Sequence, residues 1–188
     1  MNVYDFDNTI YRGESVFDFY LFSVRKNPRL IRFLPLVIRT LWRYKKCKIT
    51  QEELDAIAKE YASEFVREVS DLPGWVKEFW DKNERKIKPW YLERKREDDV
   101  IVSASFDVIL EEICPRIGIH RYLSSKIDPE TGEVKELCFG AHKPRLWQEA
   151  FPGQTIDAFY TDSAIDSPMV GLSEHAYLVK KREIVKIK

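Results

Sequence analysis

The sequence predicts an α/β protein: a doubly wound, mostly parallel, Rossmann-like sheet with an all-helical insertion near its start. Three observations carry this. Asn2–Tyr4, Val100–Val102 and Ile156–Tyr160 are short apolar runs of the length expected for buried parallel strands. Residues 10–90 read as helical throughout, and helices alternate with strands after them. Clusters of Asp and Ser follow directly on the strand ends, where open α/β sheets bind ligands.

The expected domain organisation is a core built from residues 1–9 and 91–188, with residues 10–90 inserted. Within the insertion, Ser15 is placed to cap a helix over Val16–Lys26, which Asn27-Pro28 ends. The run Arg29–Tyr44 is helical in pattern but contains Pro35, which predicts a kink or two short helices. Thr50 and Glu53 have capping-box spacing, and Leu54, Ile57, Ala58, Tyr61 and Phe65 then mark one buried face. Leu72-Pro73-Gly74 resets the chain before a helix over Trp75–Lys86, and Pro89 opens another.

In the core half, Phe106–Arg116 is helical and Tyr122–Ile127 with Val134–Phe139 predicts a β-hairpin. Lys143–Phe151 and Asp166–Leu172 are further helices, and Ala176–Val179 and Glu183–Ile187 the last strands.

Composition narrows the function classes. An apolar fraction of 44% and an aromatic fraction of 13% suit a packed core and exclude disorder. Lys+Arg and Asp+Glu total 31 each, so the charge gives no argument for nucleic acid, and no such partner is expected. Residues 10–50, however, hold ten basic residues against two acidic ones. Arg29, Arg32, Arg39 and Arg43 fall near one helical face opposite Leu30, Phe33, Leu34, Val37, Ile38 and Leu41. Such a stripe is either a solvated face or a peripheral contact with an anionic membrane. Three scattered cysteines read as reduced thiols, and residues 1–15 do not read as a secretory leader, so a cytoplasmic location is expected.

The chemistry-bearing stretch is Asp5-Phe6-Asp7-Asn8-Thr9. Alternation after a strand aims Asp5 and Asp7 alike and turns Phe6 to the core. Paired carboxylates there can hold Mg²⁺, and one of them can act as a nucleophile. Ser103-Ala104-Ser105 follows the next strand, where a hydroxyl and free N–H groups suit a phosphate oxygen, or simply cap a helix. Lys143 enters a helix start, a place unfavourable for a cation unless an anion is near. Asp162 and Asp166 follow a later strand.

In this order the motifs resemble the haloacid dehalogenase-like hydrolase superfamily, and most closely its phosphoserine phosphatase-like branch, which carries a helical cap between its first and second motifs. The resemblance implies a Mg²⁺-dependent phosphatase working through an aspartyl-phosphate on a small phosphorylated substrate. It implies Asp5 as nucleophile and Asp7 as acid and base. Asn8, Thr9, Ser103, Ala104 and Lys143 would hold phosphate. Asp5, Asp7 (through its carbonyl), Asp162 and Asp166 would form the metal site. Asn8 and Thr161 stand where that family commonly has Gly. A phospholipid head group is the alternative substrate. A non-catalytic binding module is a third reading, against which the intact motif set argues. His142 reads as a surface residue, with substrate contact the alternative; Trp75, Trp80 and Trp90 read as core packing and Cys114 as buried.

Overall fold

The computed structural model describes residues 1–181 and 183–188. Seven strands form one sheet in the order β4-β3-β2-β1-β5-β6-β7. These are β1 (Asn2–Tyr4), β2 (Val100–Phe106), β3 (Tyr122–Ile127), β4 (Val134–Glu136), β5 (Ile156–Thr161), β6 (Ser173–Lys180) and β7 (Glu183–Lys186). The five strands from β3 across to β6 are parallel, and the edge strands β4 and β7 are antiparallel to their neighbours. The expected doubly wound, mostly parallel sheet is therefore observed. The chain proceeds outward on one side of β1 and later returns to its other side, which puts the topological switch point beside the end of β1.

Among the described residues the α-helices are α1 (Ser15–Lys26), α2 (Leu34–Lys45), α3 (Gln51–Arg67), α4 (Leu72–Asn83), α5 (Pro89–Arg94), α6 (Asp107–Arg116), α7 (His142–Ala150) and α8 (Ser167–Leu172). Strand alternation sorts the core into two faces. Val3, Val100 and Val102 pack with Trp147 and Met169 of α7 and α8. Tyr4, Phe6 and Ile101 pack with α1, α4 and α6 in one continuous apolar cluster. In register across the sheet, Tyr4, Tyr160 and Tyr177 stack at 4.6 and 4.8 Å, under Trp90. That stack fixes β1 against β5, and the ladder continues one residue further through Asp5 N–H to the Tyr160 carbonyl at 2.8 Å.

Several local expectations are corrected. Ser15 is the first residue of α1; Glu14 occupies the cap position, and the Ser15 hydroxyl turns inward. The helix predicted from Trp75 begins at Leu72, because Asp71 caps the Gly74 N–H and Pro73 is tolerated in a first turn. β2 runs past the expected Val102 to Phe106 with a register shift, so α6 opens at Asp107, one residue after the expected start. β4 stops at Glu136, since the Cys138 N–H leaves the ladder for the Ser125 hydroxyl.

Pro35 does divide Arg29–Tyr44 into a 3₁₀ piece, Pro28–Phe33, and α2. The division also breaks the basic stripe: Arg29 and Arg32 belong to one piece, Arg39 and Arg43 to the next. Arg32 pairs with Glu68 at 3.1 Å and Arg43 with Glu53 at 2.7 Å, so two of the four bind α3 or its C-cap. Thr50 and Glu53 form the predicted capping box. The face of α3 from Leu54 to Phe65 is only half-buried, because it borders a cavity instead of a filled core. None of the described helices is long and apolar enough to cross a membrane.

Candidate active site

The site lies at the end of β1, where the chain turns sharply. Asn8 has φ of 55°, the left-handed conformation that Asn tolerates better than other non-glycine residues. Its N–H bonds to the Gly13 carbonyl at 3.0 Å and its side chain to Glu14 at 2.6 Å, closing the loop. Phe6 is fully buried, as alternation requires, and leaves Asp5 and Asp7 lining the crevice.

Asp5 is 5% exposed and receives the Lys143 ammonium on Oδ1 at 2.9 Å. The same ammonium reaches Asp166 Oδ1 at 2.7 Å. Burial opposes the charge of Lys143, but Asp166 and Asp5 outweigh it and hold its pKa above the usual range. Burial raises Asp5 to about 6, Lys143 opposes the rise, and Asp166 adds to it. Thr9 is fully buried beneath Asp5, with its hydroxyl 3.4 Å from Oδ2. It braces this carboxylate rather than presenting itself to the crevice.

Asp7 is held differently. Ser15 N–H at the start of α1 donates to its Oδ1 at 2.6 Å, and the Ser105 hydroxyl donates to its Oδ2 at 2.7 Å. The Ser15 hydroxyl lies 2.7 Å from Ser105 and, with that proton committed, is the donor in the pair. Burial and then the charge of Glu14 push Asp7 up to about 7, against the lowering effect of its two hydrogen bonds. Ser103 is buried, and its oxygen accepts the Ser105 N–H at 3.1 Å. The Ala104 carbonyl accepts from Ser125 at 2.8 Å. The bulge that carries these residues aims Ser105, not Ser103, at Asp7; bulges beside active sites commonly re-aim side chains in this way.

Thr161 donates to Asp166 Oδ2 at 2.8 Å and accepts the Ser163 N–H at 3.0 Å, so it orders the loop carrying both later acids. Asp162 is exposed at the crevice mouth. Desolvation and then the charges of Asp5, Glu14, Asp166 and Asp7 push it up to about 8; its exposure gives the charges the greater weight. Crowded carboxylates of this kind are an all-oxygen donor set that calls for a cation, and they suit a hard ion such as Mg²⁺. Among the described residues no three acidic, His or Cys side chains form a ready-made metal cluster. An ion that takes one or two carboxylates and a carbonyl, and otherwise keeps its waters, does not need one.

Five neighbours were not singled out by sequence reasoning: Glu14, Tyr44, Lys45, Lys88 and Ser105 in its role toward Asp7. Burial, followed by Asp5, Asp166 and the other site acids, raises the Tyr44 phenol well above its usual range and keeps it a neutral donor. Lys45 pairs with Glu14 at 3.2 Å, and the Lys88 ammonium donates to the Asn8 carbonyl. Ser105 lies within the Ser103-Ala104-Ser105 run and Glu14 shortly after Thr9, so both carry a local signal. Tyr44 and the two lysines carry no local signal. His142 is half-buried, with Nδ1 3.3 Å from both Gln51 and the Leu137 carbonyl, a structural position.

A family model described as haloacid dehalogenase-like hydrolase matches residues 3–170. The chain belongs to that family. Among solved structures, a protein of unknown function from Bordetella pertussis Tohama I matches with a TM-score of 0.73 at 15% identity, covering 94% of this chain and 87% of that one. A phosphoserine phosphohydrolase-like protein from Francisella tularensis subsp. tularensis SCHU S4 matches at 0.61 and 14% identity, covering 94% and 86%. A phosphoserine phosphatase solved as a phospho-aspartyl intermediate analogue matches at 0.56 and 16% identity, covering 93% and 83%. The haloacid dehalogenase-like chain therefore shares the fold of the phosphoserine phosphatases. No curated protein matches its sequence.

Proposed function

We propose that this haloacid dehalogenase-like hydrolase is a phosphomonoesterase that works through an aspartyl-phosphate on Asp5. The observation that carries the reading is the buried contact of Lys143 with Asp5, beside an independently anchored Asp7. An ammonium against the nucleophile offsets the repulsion between an anionic carboxylate and an anionic phosphate. Asp5 forms a bond to phosphorus as the bond to the leaving oxygen breaks, and Asp7 gives that oxygen a proton. Water then attacks phosphorus, Asp7 takes its proton, and inorganic phosphate leaves with Asp5 restored. Two carboxylates with different partners suit two roles, and a pKa near 7 suits the acid and base.

The Thr9 backbone N–H, the Ser103 hydroxyl, the Ala104 backbone N–H and Lys143 are assigned to phosphate oxygens, while the Asn8 N–H is taken by the Gly13 carbonyl. Mg²⁺ would be held by the Asp5 and Asp162 carboxylates and the Asp7 carbonyl, with Asp166 in support, and would supply further neutralisation of the phosphoryl charge. The helical segment acts as the cap. Its stem is the pairing of residues 10–12 with 86–88, through Arg12 N–H to Lys86 O at 2.9 Å and Lys88 N–H to Ile10 O at 2.8 Å.

The test is turnover of p-nitrophenyl phosphate and a panel of phosphate monoesters with Mg²⁺, before and after Asp5→Asn. The change is nearly isosteric and is expected to abolish turnover while the fold persists. Beryllium fluoride is expected to protect the wild type and not the variant. Near wild-type activity in Asp5→Asn excludes covalent catalysis at this position.

A further inference from the structure

Beside the site opens a chamber of about 300 Å³, within the size range of ligand pockets. It begins at Asp7, Glu14 and Ser105 and extends between α2 and α3. Beyond that mouth its wall is mostly apolar, with Val37 and Leu41 from α2, Ile57, Ala58 and Phe65 from α3, and Phe106 at the end of β2. No Lys, Arg or His lines it among the described residues. No residue of α2 is fully buried, and α3 buries only Val66, so both helices turn apolar faces to this space without filling it. Protein interiors hold few voids larger than a water molecule, and a chamber this size is a poor candidate for a packing defect.

Resting on the phosphatase reading, we infer that the substrate is a phosphate monoester of a long apolar alcohol, with its phosphate at Asp5 and its chain in this chamber. A small polar metabolite would bring several ammonium, carboxylate or hydroxyl groups against a wall whose polar side chains beyond the mouth are Thr40 and the tyrosines Tyr20, Tyr44 and Tyr61. A second phosphate or a carboxylate on the substrate would find no cation on the chamber wall to pair with it. A hydrocarbon chain meets neither obstacle. One hydroxyl on the wall, Thr40 Oγ1, is buried without a partner among the described residues and suits a single oxygen along such a chain.

The test is kcat/KM for a homologous series from ethyl to tetradecyl phosphate, each kept below its micelle concentration. The expected result is a rise of about two- to fourfold per methylene until the chamber is full, then a plateau. Ala58→Trp fills the chamber from α3 and is expected to lower the dodecyl-to-ethyl ratio of kcat/KM by about tenfold or more, the worth of two methylenes. Ala62→Phe, on the same lining, repeats the test if the first variant fails to melt cooperatively. Turnover with a flat chain-length profile, or an unchanged ratio in a folded variant, overturns the chamber assignment alone. Absence of turnover on every ester, including p-nitrophenyl phosphate, overturns the phosphatase reading and the inference with it.

Discussion

Ser105 donates its hydroxyl to Asp7 Oδ2 at 2.7 Å and so ties the bulged end of β2 to the loop after β1. Asp7 takes no contact from Lys143, so its proton affinity is governed by burial, Glu14 and these serine bonds. With Asp7 as acid and base, Asp7→Asn is expected to slow alkyl phosphates by about 10²- to 10⁴-fold and p-nitrophenyl phosphate far less, since a good leaving group needs no proton. Ser105→Ala is expected to show the same selectivity at smaller size. Parallel assays on both substrates check this, and equal losses would make Asp7 a structural or metal residue.

Lys143 is 1% exposed and holds two buried carboxylates together. Removing one partner of such a set leaves charge uncompensated. Lys143→Ala is expected to destabilise the fold by about 3–5 kcal/mol at neutral pH, measured by urea denaturation, besides abolishing turnover.

Thr161 stands where Gly is common in the family and donates to Asp166 Oδ2 at 2.8 Å. Thr161→Val keeps its shape and removes the hydroxyl, with an expected cost of about 1–2 kcal/mol. Thr161→Ser is expected to recover most of it. A Val variant as stable as the wild type would show that the hydroxyl bears no part in ordering the loop.

Asp99 supplies a pH test away from the site. It is fully buried; Oδ2 accepts the Arg96 N–H at 2.8 Å, and Oδ1 has no partner among the described residues. Burial pushes it up to about 6, against the lowering bond from Arg96. A carboxyl raised above its unfolded value favours the folded state below that unfolded pKa, and the contribution is lost as pH rises through about 6. Asp99→Asn is therefore expected to be more stable than wild type at pH 8, by about 1–3 kcal/mol, with the difference vanishing below about pH 4. Denaturation curves at the two pH values decide it.

The sequence by itself determined the strand–helix alternation, the mostly parallel sheet and the positions of Asp5, Asp7, Ser103, Lys143, Asp162 and Asp166. Each is read from periodicity or from a short motif, information held within a few residues. It also carried the Thr50 capping box and the break at Pro35, which are local for the same reason. Only the tertiary structure decided what those residues touch. Ser105 meets Asp7 across 98 positions and Lys143 meets Asp5 across 138, distances over which no local pattern extends. The apolar face of α3 shows the limit most plainly. Its periodicity specifies a face turned away from water, and a packed core or an open chamber satisfies that demand equally. Whether the space is filled depends on how far α2 stands from α3, which side-chain volumes and the break before Pro35 settle only when the whole chain has folded.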